Sequence, residues 1–456
     1  MGASGPLGRT ILIRARKFAV AVATAATLAG AVPGLAAEAA APESEAAVAF
    51  GAIPKSWSLK GVVIFSRHGI RGPLDPAKCD NADPAGACMD AIASEPWPTY
   101  GVIAQNLIPD GYARVATLGR YYRELYAAEG VVPAKGCPTA TAATFVTDTT
   151  ERTVITAGAL ADGMFPGCSP PFSIEPQVYT GPTCGFDASK ADAASQALIG
   201  GSWAAVAAGE LRRPLAVMNA VLGPFKPAGC TANGGSAPCS LSTLPISASN
   251  PGPIHTADQP SEQFLMQYAA GLPAKEVAWG KLPGASGRPL PQAITLVNAV
   301  HALRFRGDYM PRYQAVKQGS QVMHRVFASL NDIARGKGAP LQVYAGHDNN
   351  IINMAGLLGL KWQLDSYQPY QVPPGGAVAF ELWQPPAGEA AVRLVYFAQT
   401  IEQMRRNTRL SLDRPPATAV MPVAGCASQH GACPWSAFSR IVTKAVDPAC
   451  VRPAKG

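Results

Sequence analysis

The apolar run Gly61-Val62-Val63-Ile64-Phe65 is followed, after Ser66, by Arg67-His68-Gly69-Ile70-Arg71-Gly72-Pro73. Such a run reads as a buried strand, so the arginines and histidine stand in a loop at its carboxyl end. The arrangement recurs. A strand at about 143–147 leads into Asp148-Thr149-Thr150-Glu151-Arg152-Thr153, and a strand at about 341–345 leads into Gly346-His347-Asp348-Asn349-Asn350. Strands that alternate with polar loops and helical sequence mark an α/β fold. Ligands of open α/β sheets bind beyond the carboxyl ends of the strands. The three loops can therefore converge although they lie far apart in the chain.

The rest of the chain fits around this frame. A helix is expected from about Asp110 to Glu129, with Val115, Leu118, Tyr122, Leu125 and Tyr126 on one face and Gly130 placed to end it. Thr149 or Thr150 can cap the helix that carries Arg152, and Asp348 or Asn349 the helix after His347. From about 187 to 300 no strand is evident, and helices are expected near 260–271, 290–305 and 310–335. Two more strands are expected at about 377–383 and 392–399. The expected organisation is an α/β core over 55–185 and 300–454, with a mainly helical lobe, 186–299, inserted into it.

The amino terminus is read apart. Arg9, Arg14, Arg16 and Lys17 precede an uncharged, Ala-rich stretch from Phe18 to Leu35, with small residues following. This is the pattern of a cleaved secretory signal peptide, 1–37, rather than of a membrane anchor. Loss of those four basic residues takes the formal charge from +8 to +4. Without a basic run interleaved with aromatics, nucleic-acid binding has little support. Ten cysteines in an exported chain imply disulfides. Cys79 and Cys88, Cys230 and Cys239, and Cys426 and Cys433 are close pairs. Cys137, Cys168, Cys184 and Cys450 are left and can pair in three ways. No C-x-x-C occurs, so zinc is disfavoured.

For a phosphate monoester the loop residues form a complete set. Transfer needs positive charge around the phosphoryl oxygens, an in-line nucleophile and an acid for the leaving alcohol. Arg67, Arg71 and Arg152 can hold those oxygens, with His347 as a further donor. His68 can attack phosphorus, and Asp348 can protonate the leaving oxygen and then help deprotonate water. An acid that must start protonated implies an acidic optimum. Arginines supply the charge, so neither metal nor cofactor is required. His301, within Ala293 to Phe305, reads as a core or packing histidine, and His255, His324 and His430 have no partner pattern.

The chain resembles the histidine acid phosphatases, most closely the bacterial periplasmic branch of phytases and glucose-1-phosphatase. The hallmark R-H-G-x-R-x-P is matched by Arg67 through Pro73, and the second hallmark, His-Asp, by His347-Asp348. Glu151-Arg152-Thr153, Trp97-Pro98-Thr99-Tyr100, Ser261-Glu262-Gln263-Phe264, Trp279-Gly280, Pro373-Pro374-Gly375-Gly376 and Phe380-Glu381-Leu382-Trp383 extend the likeness along the mature chain. The resemblance implies a phosphoglycerate-mutase-like mixed sheet flanked by helices, with a helical insert. It implies the same roles for His68, Asp348 and the arginines. It also implies Cys137–Cys168 and Cys184–Cys450, and supports Cys230–Cys239 and Cys426–Cys433; Cys79–Cys88 is an addition.

One position departs from the pattern. The phytase branch has a lysine two residues beyond the hallmark proline, where this chain has Asp75. A carboxylate there repels further phosphates. The expectation is therefore a broad or sugar-phosphate monoesterase, with phytase as the alternative; Glu262 and Lys317 are weaker substrate-binding candidates. A mutase of the phosphoglycerate mutase group and a non-catalytic phosphate-ester binding protein are the other readings. A monomer acting on a small-molecule phosphate monoester is expected.

Overall fold

The computed structural model describes residues 51–74, 89–182 and 184–452. The expected signal peptide, the Cys79–Cys88 pair and Asp75 lie outside those residues. No described helix is long and apolar enough to cross a membrane.

The strands are β1 (Ser58–Arg67), β2 (Ala143–Thr147), β3 (Phe172–Ile174), β4 (Leu341–Gly346), β5 (Ala377–Gln384), β6 (Ala391–Ala398), β7 (Ala417–Val420) and β8 (Ala432–Pro434). They form one sheet in the order β3-β2-β4-β1-β5-β6-β7, and β8 pairs with β6. The β3-β2-β4-β1 half is parallel, and β5 to β8 are antiparallel. This is the expected mixed α/β sheet.

The pleat divides the core. Val63 and Phe65 of β1, with Val378, Phe380 and Leu382 of β5, pack into one apolar cluster. Val62 and Ile64, with Ala377, Ala379 and Trp383, pack into another. A period of two that is apolar on both phases is what a sheet covered on both faces requires. Helices Pro109–Ala128 and Glu151–Met164 supply Val115, Leu118, Tyr122, Leu160 and Met164 to the second cluster. Helices Pro253–Ala269, Ala299–Tyr309, Arg312–Ala334 and Asp348–Leu358 supply the first. Among the described residues no strand lies between Ile174 and Leu341.

Among the described residues four disulfides are formed: Cys137–Cys168, Cys184–Cys450, Cys230–Cys239 and Cys426–Cys433. Two local expectations need correction. The helix after β4 is capped by His347, whose backbone is extended and whose N–H donates to Asn350 Oδ1 at 3.0 Å; Asp348 is already helical. The helix after β2 has Thr150 at its N-cap, but the Thr150 side chain makes no capping bond. Asp148 braces the loop just before it, accepting from the Thr150 N–H at 2.8 Å.

Candidate active site

Register places the site. Arg67 lies opposite Gly346 across β1 and β4, and Thr147 lies opposite Ala345 across β2 and β4. The carboxyl ends of the three parallel strands are therefore neighbours, and the loops that follow them meet. The first loop rests on helix Pro109–Ala128. A Cβ on Gly69 would come within 2.7 Å of Val115 Cγ2, so close packing requires this glycine, not a positive φ. Gly72 also has an ordinary φ, and a Cβ there would meet nothing nearer than 3.6 Å.

His68 is almost fully buried, 3% exposed. Its Nδ1 lies 2.8 Å from the Gly69 carbonyl. A carbonyl only accepts, so Nδ1 carries the proton and Nε2 keeps its lone pair. Burial, then the positive charges of Arg67 and Arg152, with His347 and Arg71 adding to them, pushes the imidazole well below its usual range. It stays neutral in mild acid. The His347 ring stands edge-on to it, with centroids 5.6 Å apart.

The cations are held in two ways. Arg67 Nη2 donates to Glu262 Oε1 and lies 2.9 Å from Asp348 Oδ2, while its Nη1 donates to the Val372 carbonyl. Arg71 donates to Glu262 Oε2 at 3.1 Å and Gln259 Oε1 at 2.9 Å. One buried carboxylate thus aims both forks. Among the described residues Arg152 has no ion pair of this kind. Its buried Nε–H, like that of Arg67, has no hydrogen-bond partner among the described residues. Burial and the nearby Arg71 bring Arg152 down to about 10, so it remains charged. Orphaned guanidinium donors beside a neutral histidine make a cradle for an anion.

His347 Nε2 lies 2.9 Å from Asp148 Oδ2. Burial alone would raise the Asp148 carboxyl. The hydrogen bonds from His347 and from Thr153 outweigh it and hold the group at about 2. Asp348 Oδ1 accepts the Asn349 N–H at 2.9 Å, leaving Oδ2 toward Arg67.

The loop residues expected from the sequence, Arg67, His68, Arg71, Arg152, His347 and Asp348, are thus brought together, and Glu262 joins them as the anchor of two arginines. Lys317 is engaged elsewhere, with the Cys184 carbonyl at 2.8 Å and Asp447 at 3.3 Å. Sequence reasoning missed Asp148, Asp258, Gln259 and His301. His301 is buried in the core as expected, but it does more than pack: its Nδ1 meets Asp258 and its Nε2 lies 3.2 Å from Glu262 Oε1. The available signal was charge spacing: Asp258 and Glu262 stand four apart on one helix, and His301 and Arg304 three apart on another. Glu262, His301 and Asp348 also bring one potential ligand atom each within 4.8 Å of one another. Arg67 is already ion-paired with both carboxylates and the His301 nitrogen faces an acceptor, so this is an ion-pair cluster in character.

Comparison with known proteins agrees with this geometry. The family model of the histidine phosphatase superfamily (branch 2) matches residues 58–196 and 298–397. The Escherichia coli phytase AppA is 31% identical over 433 residues, covering 88% of this chain and 95% of its own. A glucose-1-phosphatase of Salmonella typhimurium is 26% identical over 410 residues, covering 86% and 94%. The solved structure of Hafnia alvei phytase in complex with tartrate superposes with a TM-score of 0.74 at 28% identity, covering 88% of this chain and all of that one. With its sheet, its converging loops and its matches in accord, the chain belongs to the histidine phosphatase superfamily, branch 2, as a histidine acid phosphatase hydrolysing phosphate monoesters.

Proposed function

We propose that His68 is the nucleophile and Asp348 the proton donor of a two-step phosphomonoester hydrolysis. The observation that carries this reading is the buried His68 ring, whose Nδ1 faces the Gly69 carbonyl at 2.8 Å and so leaves Nε2 as the lone-pair nitrogen, with Arg67, Arg71 and Arg152 around it. Nε2 attacks phosphorus as the P–O bond to the leaving group breaks. That oxygen takes its proton from Asp348. Water then attacks the phosphohistidine, the P–N bond breaks, and the water proton passes to the Asp348 carboxylate. Phosphate leaves and the starting state returns. The guanidiniums and His347 hold the equatorial oxygens, where charge is preorganised and desolvated. Rapid quenching with labelled substrate tests this: an acid-labile phosphoenzyme is expected, and active enzyme without one overturns it.

For substrate, a broad or sugar-phosphate preference rests on Asp75 in place of a lysine. A phytase reading is favoured by the likeness to the Escherichia coli and Hafnia alvei phytases. A comparison of kcat/KM for phytate, glucose 1-phosphate and aryl phosphates separates them: strong preference for phytate overturns the first. Export to the periplasm or beyond is supported by the amino-terminal pattern and the disulfides. Detection of the mature, cleaved chain in an extracytoplasmic fraction tests it, and a monomer is expected on size exclusion.

A further inference from the structure

Behind the arginines lies a second layer of charge that the hydrolysis does not itself use. Asp258 is fully buried and His301 is 3% exposed. Both His301 ring nitrogens face carboxylates: Nδ1 meets Asp258 Oδ1 at 2.5 Å, and Nε2 lies 3.2 Å from Glu262 Oε1 and 3.9 Å from Asp348 Oδ2. Ionised carboxylates only accept, so both nitrogens must donate. The Phe305 ring, 4.2 Å away between centroids, fixes the plane of the imidazole. The other Asp258 oxygen accepts from Arg304 Nη1 at 2.6 Å and from Gln259 Nε2 at 3.2 Å. Charges therefore alternate from Arg304 through Asp258, His301 and Glu262 to Arg67 and Arg71.

We propose that His301 is a positioning residue: a buried imidazolium that joins Asp258 to Glu262 and, through Glu262, keeps the Arg67 and Arg71 guanidiniums aimed at the phosphoryl group. This rests on the assignment of those arginines to phosphate binding. The physical need is visible at Arg67 Nη2, which donates to Glu262 and lies 2.9 Å from Asp348 Oδ2. A Glu262 released from His301 can turn, and Arg67 then keeps Asp348 as its remaining carboxylate partner while Arg71 loses its anchor, leaving the phosphate site misshapen. The groups that face His301 are Asp258 and Glu262 from helix Pro253–Ala269 and Asp348 from helix Asp348–Leu358; Arg304 of its own helix lies across Asp258. Burial lowers the proton affinity of the ring, but Glu262 and Asp258 outweigh it and hold the ring at about 10.

The test combines a wild-type measurement with one variant. In imidazole 15N spectra, assigned by loss of the signal in His301→Gln, wild-type His301 is expected to keep protons on both ring nitrogens at pH 8. Folded His301→Gln is expected to lose up to about a hundred-fold in kcat/KM, with weaker inhibition by inorganic phosphate and a raised KM. A merely structural role lowers only the amount of active enzyme and leaves KM and the phosphate inhibition constant unchanged. A neutral ring at pH 8, or a folded variant with unchanged phosphate inhibition, overturns the proposal. If the variant does not fold, assignment by exclusion against the remaining five histidines lets the wild-type spectrum decide alone. A trapped phosphoenzyme in the same samples separates failure of this proposal from failure of the phosphohistidine reading.

Discussion

His68 and His301 are each 3% exposed, yet they hold protons in opposite ways. Burial disfavours the imidazolium at both. Around His68 the neighbours are cations, which add to burial and leave a neutral ring. Around His301 they are Glu262 and Asp258, which overcome burial and leave a charged one. One residue type thus supplies a lone pair in one place and a fixed positive charge in another. The sign of the neighbouring charge decides which, not the depth of burial.

The severest way to break this contrast is to remove the neutral ring. His68→Ala should lose on the order of 10^4- to 10^6-fold in kcat and yield no phosphoenzyme on rapid quenching, while the fold persists by circular dichroism. Next comes the proton donor. Asp348→Asn should lose about 10^2- to 10^4-fold on alkyl phosphates but far less on p-nitrophenyl phosphate, whose leaving group needs little protonation. Equal losses argue against the acid role.

Arg152→Gln probes the cationic surroundings themselves. Losing a charged hydrogen-bond donor costs about 1.5–3 kcal/mol, read as a raised KM. It also removes one of the charges that depress His68. His68 then takes its proton at a higher pH, so the acid limb of the kcat/KM profile should move upward. An unmoved limb shows that Arg152 does not act on His68.

The smallest effect is in stability. The folded His301 value, about 10, lies above the ordinary histidine value of 6.5. Its stabilising contribution is therefore complete below about pH 6.5 and is lost as pH rises through about 10. Asp148 has the opposite sign: held at about 2, it contributes above its ordinary 3.8 and loses that contribution as pH falls toward 2. His68 resists protonation when folded, so it lowers stability as pH falls below 6.5. Urea melts of wild type and His301→Gln at pH 7 and pH 10 should converge at the higher pH. A constant gap between them shows that His301 is not charged in the folded protein.

The two histidines also differ in how legible they are. His68 was evident because its meaning is local: Arg67 and Arg71 flank it at the end of an apolar run. His347-Asp348 was evident for the same reason. His301 reads as a packing residue in the sequence because it stands among Val300, Ala302 and Leu303, and its partners sit 43 and 39 residues away at Asp258 and Glu262. Lys317 shows the reverse error, a cation that looked available but is occupied by Asp447 and the Cys184 carbonyl. Asp148 lay in the same loop as Arg152 and could have been found by asking what orients His347.

By itself the sequence determined five of the eight described strands, the loops that gather at the site, the family and the candidate reacting side chains, because periodicity and adjacent charges are encoded locally; the short β3, β7 and β8 carry no such signal. Only the tertiary structure decided which carboxylate faces which cation. Glu262 aims Arg67 and Arg71, Asp258 charges His301, and the Arg152 Nε–H is left without a partner among the described residues. Coulomb energies depend on distances across the fold, and those distances are set by how the helix carrying Asp258 and Glu262 packs over the carboxyl edge of the sheet.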